Sequence, residues 1–446
     1  MANTYITRTP SSAGNRRKFT ISMWVKRVKL GVDQWLVQAG ASGSEFDIRF
    51  TTSDQIRFST WDGSNGYGMI TTRVFRDVSA WYHLVFQYDT AQATDTNRNK
   101  IYVNGEQISP SDTSAYNAGK HPPQNYDNPS WNNTTAFRIN DVTWTSSSPK
   151  DAVYSHIHHT DGYAYDASTF GSTDSTTGEW KINTSPSITM GTNGFTILKD
   201  GNTITDQSSN SNDFTLGAGQ ITNLKDNPSN NFCNINLLYN QTTGQGVVVN
   251  NCGNTVYYAS NASRSCFGSI APSSGKYYFE AKVFGGTGTV VIGIVNMAWS
   301  NLNGASGYAF HDDALNFGYN VSGQKTSGGS NTAYGSAISD GDIVGVAMDL
   351  DNSKLYFSLN GVFQGSGDPT SGASGTNAAF TLASGANYTG ACRLRNGTQV
   401  GFNFGNGQYS GSSVVASEGT NASGNGKFEY DVPTGYTALS TKGLNL

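Results

Sequence analysis

The chain has 446 residues, of which 13% are charged and 12% aromatic, with 52 glycines and a formal net charge of -4. That length exceeds a single ordinary core and fits two domains. The charge excludes a broadly basic nucleic-acid-binding face, and no apolar run is long enough to span a membrane as a helix. Leu, Ala, Glu and Lys, the residues long helices need, are sparse, whereas aromatic and β-branched residues are common. The composition predicts an all-β protein of short strands and polar turns, a sandwich or barrel.

Residues 19–25 (FTISMWV) alternate, with Phe19, Ile21, Met23 and Val25 facing a core and Thr20, Ser22 and Trp24 facing away. The basic residues around them, Arg16, Arg17, Lys18, Lys26, Arg27 and Lys29, read as a charged outer face that discourages edge pairing. Residues 81–88 (WYHLVFQY) repeat the alternation with Tyr82, Leu84, Phe86 and Tyr88 inward. In KIYVNGEQI (100–108), Asn104-Gly105 predicts a two-residue hairpin turn, since both central residues need positive φ. Residues 109–150 read as long surface loops around one strand at 136–140. A polar stretch over 171–230 ends the first domain, placed at 1–222.

The second domain, 223–446, uses the same grammar. KYYFEAKV (276–283) turns Tyr277, Phe279, Ala281 and Val283 to one side. TVVIGIV (289–295) predicts a strand buried on both faces. DIVGVAMDL (342–350) aligns Val344, Val346, Met348 and Leu350, and KLYFSLNG (354–361) ends in a second Asn-Gly hairpin. Each half therefore holds an apolar strand, an Asp-rich turn, a Lys-led strand and Asn-Gly. The four cysteines, Cys233, Cys252, Cys266 and Cys392, match no zinc spacing. With no signal-peptide pattern ahead of them, they are expected to be reduced and buried in a protein made in a cytosol.

These stretches carry two family resemblances. YITRTPSSAGNRRKFTISMWVKR, WYHLVFQYDTAQATDTNRNKIYVNGEQI, DGYAYDASTFGSTDSTTGEW and GTNGF resemble, in order, the laminin-G-like, concanavalin A-type domains of phage virion proteins. SGKYYFEAKV, VVIGIVN, GDIVGVAMDLDNSKLYFSLNGVFQ, VGFNFGNG and KFEYDVPTGYTAL resemble SPRY domains. The resemblance implies two tandem concanavalin A-like antiparallel β-sandwiches of jelly-roll type, and the pairing is similar to marine bacteriophage fibre and appendage proteins.

Glycanases on such sandwiches need paired carboxylates, usually Glu-x-Asp-x-x-Glu on one strand. Glu45-Phe46-Asp47 starts that pattern, but Phe50 stands where the second Glu belongs, and only six Glu occur in the chain. The expectation is no enzyme, with Glu45 and Asp47 facing solvent. His156, His158 and His159 are expected to be exposed strand histidines, His156 and His158 on one face, without metal. Laminin-G-like domains often bind one calcium, for which Asp62, Asp89 and Asp95 are chemically suited. Turn formation explains these aspartates without metal and is favoured, so no cofactor is assigned beyond that calcium option.

Sugar recognition sets an aromatic ring against a sugar face with polar oxygens nearby. The candidates are Trp61, Tyr67, Trp131 and Trp144 in the first domain. In the second they are Trp299, Tyr308 and Tyr334, with Asp312 and Asp313. Packing at a loop edge is the competing reading for each ring. SPRY domains bind partners through loops at one sandwich end, which singles out 299–313. The leading expectation is a non-enzymatic adhesin on the virion surface, in a tail fibre or appendage, made in the host cytoplasm. It would contact host glycan or protein and dock on other virion proteins. The alternative is a structural virion protein, a capsid decoration or head fibre, because no coiled coil or anchoring module precedes Phe19. Homo-oligomers are expected, a trimer by analogy with fibres. Nucleic acid and membrane insertion are not expected.

Overall fold

The computed structural model describes residues 4–143, 152–236, 247–250, 253–285, 289–300, 308–410 and 413–445. The chain forms two compact units, Met1–Asn223 and Leu224–Leu446. Both are built almost wholly from antiparallel strands. Among the described residues no helix is long and apolar enough to cross a membrane.

In the first unit an eight-stranded sheet runs, in spatial order, Thr113–Ala115, Gly66–Val74, Gln55–Trp61, Ser44–Phe50, Gln34–Ala41, Phe137–Ile139, Tyr5–Arg8 and Thr215–Ala218. A six-stranded sheet runs Phe195–Ile197, Ala152–Asp161, Lys18–Arg27, Trp81–Asp89, Asn99–Val103 and Glu106–Gln107. Phe19, Ile21, Met23 and Val25 meet Phe46, Ile48, Phe50 and Phe58 in one core between the sheets. Ring contacts such as Phe58 to Phe86, at 5.2 Å and edge-on, bridge the two layers.

The opposite face of the six-stranded sheet is not solvated, contrary to its polar alternation. Thr20, Ser22, Trp24 and His83 are all buried. Segment 162–194 lies over them, placing Tyr165, Ala167, Phe170, Trp180 and Ile188 against Val85 and Tyr102. The basic run is corrected too. Lys26 and Arg27 are buried, and Arg27 pairs with Asp54 at 3.1 Å. Arg17 pairs with Asp127 at 2.9 Å and Lys18 with Asp89 at 3.1 Å. A buried guanidinium is tolerated only with such partners.

The second unit packs a nine-stranded sheet, centred on Lys276–Phe284, Ile343–Asp349 and Lys354–Leu359, against a six-stranded sheet. The latter runs Arg264–Phe267, Tyr388–Leu394, Val290–Asn296, Phe317–Asn320, Gln324–Ser327 and Ser330–Ala333. Tyr277, Phe279, Ala281 and Val283 join Val344, Val346, Met348 and Leu350 in its core. Val290–Asn296 is buried on both faces, as its unbroken apolar run predicts. Cys233, Cys266 and Cys392 are buried free thiols, and Cys252 lies outside the described residues.

The repeated device has the same geometry in both units. Asn104 and Gly105 have φ of 48° and 87°, and Asn360 and Gly361 have 49° and 82°. These angles are the reason Asn-Gly occupies both turns. Asn104 donates its N–H to the His83 carbonyl (2.9 Å) and accepts the His83 N–H on Oδ1 (2.8 Å). Asn360 does the same with Ile343, at 2.8 and 3.0 Å. A Cβ on Gly105 would strike Trp180 and one on Gly361 would strike Tyr430. Lys276 pairs with Asp349 at 3.0 Å, as Lys18 does with Asp89.

Candidate functional site

The site builds up from the six-stranded sheet of the second unit. Along Tyr388–Leu394, period-two alternation sends Tyr388, Cys392 and Leu394 into the core. Ala391 goes to the other face, where it joins Phe267, Val291, Val295, Trp299, Ala309 and Phe310 in a second apolar cluster. Trp299 is only 7% exposed, with Phe267 edge-on at 6.2 Å. It is a plug beneath the short helix Ala309–Asp312, not an open ring, so its assignment as a ligand contact is corrected. Asn316 fastens the same helix, donating Nδ2–H to the Ala309 carbonyl at 2.8 Å and accepting the Asn296 N–H at 2.9 Å.

This support raises Tyr308 into solvent, 47% exposed. The Arg393 guanidinium lies 5.8 Å from its ring centroid and the His311 ring 6.1 Å away. His311 Nδ1 is 3.2 Å from Asp312 Oδ1. Burial lowers the Arg393 pKa; Tyr308 and Asp312 oppose that shift, and neighbouring Arg395 adds to it. Asp313 serves the turn, its Oδ1 accepting the Leu315 N–H at 2.6 Å. Tyr334 does not join the group. It packs on the core side, 5.9 Å from Tyr319 and 6.4 Å from Phe357. The structure therefore brings together Tyr308 and Asp312, adds Arg393, and separates off Tyr334. Arg393 went unnoticed in the sequence, although Arg264, Arg393 and Arg395 are the three arginines of 224–446.

In the first unit Trp131 is buried in the core at 1% exposure, 5.1 Å from Phe46 and 4.7 Å from Phe137. Asn128 Oδ1 accepts the Ser130 and Trp131 N–H groups, and the turn so formed drives the ring inward. Its assignment as a surface contact is thus corrected; Trp144 lies outside the described residues. Trp61 and Tyr67 are half-buried.

Asp47 is buried, not solvent-facing. It accepts from Arg57 at 2.8 Å and Ser59 at 3.0 Å, while Arg57 also stacks 3.6 Å over Tyr116. Phe50 is fully buried in the core on the other side of the strand. Glu45 is half-buried, and burial with the Asp47 charge raises its pKa. Phe50 leaves the Glu-x-Asp-x-x-Glu pattern without its second acid, and Asp47 is held in an ion pair.

The aspartates suggested for calcium are occupied otherwise. Asp89 is buried against Lys18 and the Ala91 and Gln92 donors. Asp62 accepts the Ser64 and Asn65 N–H groups, and Asp95 the Thr96 N–H. Among the described residues no three His, Cys, Asp or Glu side chains converge for a metal.

The three histidines are buried, not exposed. A bulge shifts register between Ser155 and His158, with His156 at φ 48°. His158 bonds Thr196 Oγ1 at 2.9 Å under Phe170, and His159 donates to the Thr20 carbonyl at 3.2 Å beside Trp131. Burial pushes the His158 pKa down to about 3 and that of His159 to about 4. His83, also at about 3, accepts the Trp180 Nε1–H on Nδ1 (3.0 Å). Its proton therefore sits on Nε2 and points to Ser22 Oγ at 3.0 Å.

Fold and site define the class: a protein of two tandem antiparallel β-sandwiches. The first unit carries a concanavalin A-like domain, since residues 1–152 match the family of the concanavalin A-like lectin/glucanases superfamily. The second carries a SPRY domain, matched over residues 276–407. No curated protein matches the chain. Similar solved structures include the SPRY domain of human HERC1, with 16% identity and a TM-score of 0.29, covering 35% of this chain and 92% of that one. A human SPRY domain has 18% identity and a TM-score of 0.25, covering 35% of this chain and 94% of that one.

Proposed function

We propose that the protein is a non-enzymatic adhesin of a bacteriophage particle, a fibre or appendage that binds host surface glycan through the Tyr308 face of its SPRY unit. The observation that carries this reading is an exposed ring held rigidly beside an arginine and an acid on a plugged sheet face. An aromatic surface with flanking polar groups suits a sugar ring and its hydroxyls. Phage origin is supported by the ordered resemblance of the first half to domains of phage virion proteins and by the pairing of the two domain types, which is similar to marine bacteriophage proteins. The Phe50 substitution and the Asp47 ion pair speak against glycan hydrolysis. Binding of the full-length protein to an array of bacterial envelope glycans, with release of reducing sugar followed in parallel, tests this. Retention without release is expected; sugar release, or no retention on any glycan or host cell, overturns it.

Capsid decoration is the second reading, favoured by the fully exposed edge strand Ser330–Ala333, which offers free backbone groups for lattice contacts. Labelling the protein on intact particles separates the two. A distal location supports the adhesin, and a regular array over the head supports decoration.

A further inference from the structure

Two of the second unit's three arginines, Arg393 and Arg395, are neighbours at the end of strand Tyr388–Leu394, where the Arg395 charge acts on Arg393. Arg264 is in register with Leu394 and shares its core-side face, so it points away from Arg393. Each is half-buried, and each has its Nε shut from water with no hydrogen-bond partner. Arg264 donates to the Ser263 carbonyl at 2.8 Å and lies 5.4 Å from the Tyr258 ring centroid. Among the described residues none of the three makes an ion pair. The neighbouring Arg393 and Arg395 guanidinium groups repel one another and lose hydration, an arrangement that costs stability unless an anion arrives. Nothing in sheet pairing requires them, because strand hydrogen bonds are made by backbone alone.

We propose that Arg393, beside Tyr308, and its neighbour Arg395 form an acceptor site for the anionic group of an acidic polysaccharide, a uronate carboxylate or a sulfate ester. This inference rests on the adhesin reading and names its ligand class. The guanidinium fork matches two oxygens of a carboxylate or sulfate at once. Tyr308 offers a face for the adjoining sugar ring, and Asp312 an acceptor for a hydroxyl. The mixed sign matters. Asp312 and Asp313 would repel a densely charged strand such as nucleic acid, but tolerate a chain whose charges are spaced by neutral hydroxyls.

Surface plasmon resonance of the full-length protein over alginate, dextran sulfate, neutral dextran and single-stranded DNA tests this. Alginate binding identifies the carboxylate and dextran sulfate the sulfate. At least one acidic polysaccharide should bind, weakening as salt rises, with neutral dextran silent. The double variant Arg393→Gln/Arg395→Gln should weaken that binding by roughly tenfold or more, the loss expected for charge-assisted hydrogen bonds. Its melting temperature should hold or rise, because the repulsion between the two neighbouring arginines is removed. Should the double variant not fold, Arg393→Lys decides: it keeps the charge but not the fork, and should bind more weakly than the parent. Equal binding by parent and folded variants, or tighter binding of DNA than of either acidic polymer, overturns the inference. If Tyr308→Ala abolishes glycan binding while the arginine variants do not, the adhesin reading stands and the anion site falls. If no polymer and no array glycan binds the parent, both fall.

Discussion

The two units treat arginine in opposite ways. The first has ten arginines. Eight make ion pairs with carboxylates, among them Arg27 with Asp54, Arg57 with Asp47 and Arg138 with Asp141, and Arg8 and Arg98 bond to Asn212 and to carbonyls. Its charge is used to build the fold. The second unit has three arginines and pairs none of them among the described residues. Yet both units share one frame, with matching Lys–Asp pairs and matching Asn-Gly turns. Charge placement, not fold, therefore separates the two units: the first satisfies its arginines internally, and the second is the one for which a ligand is proposed.

The buried group beneath each covering segment differs as well, and acid should expose this most strongly. In the first unit His83, His158 and His159 are held neutral, with pKa values of about 3, 3 and 4. The unfolded chain binds protons near pH 6.5, so it gains protons before the fold does. Stability contributed by the neutral fold is complete above that pH and declines as pH falls towards the folded values. Each histidine should remove on the order of 2 kcal/mol by pH 5. The second unit contains only the exposed His311. Calorimetry across pH 7 to 4 should therefore show the first unit's transition falling much faster; parallel shifts would break the contrast.

In the second unit the buried group is Glu280. It accepts from Tyr409 Oη at 2.5 Å, Asn403 Nδ2 at 3.2 Å, the backbone N–H groups of Glu429 and Tyr430 at 3.0 and 2.9 Å, and Tyr278 Oη at 3.3 Å. This carboxylate pins the closing segment to the sheet. Glu280→Ala strands these donors and should destabilise the second unit by about 3–5 kcal/mol, leaving the first transition in place. Chemical denaturation resolves the two. A smaller loss is expected from Asn104→Ala and Asn360→Ala, about 1–2 kcal/mol each, confined to the unit that carries the substitution. Unequal losses would show that the shared turn is not used equally.

The sequence made the frame legible because its signals are local. Asn-Gly admits few conformations, and alternation over 19–25 and 342–350 names the core side directly. What was missed depends on distant partners. Ser22 and His83 look solvent-facing until segment 162–194 covers them, and nothing in that polar stretch announces where it lies. The bulge at His156 breaks the alternation used to place the histidines. Arg27 reads as surface charge until Asp54 comes beside it. At the candidate site, Tyr308 and Asp312 were visible as a ring and an acid in a polar loop. Trp299 looked the same and proved to be the plug, since burial of a loop ring depends on the sheet beneath. Arg393 lies 85 residues beyond Tyr308, and only strand pairing makes it a neighbour.

The most direct test compares the two surfaces within one protein. Glycan-array binding by full-length Tyr308→Ala should fall by roughly tenfold, the loss of about 1.4 kcal/mol expected for one stacking ring, while Trp61→Ala in the first unit stays near the parent value. Undiminished binding by Tyr308→Ala together with loss in Trp61→Ala would contradict the account, placing recognition on the unit whose charges are already paired.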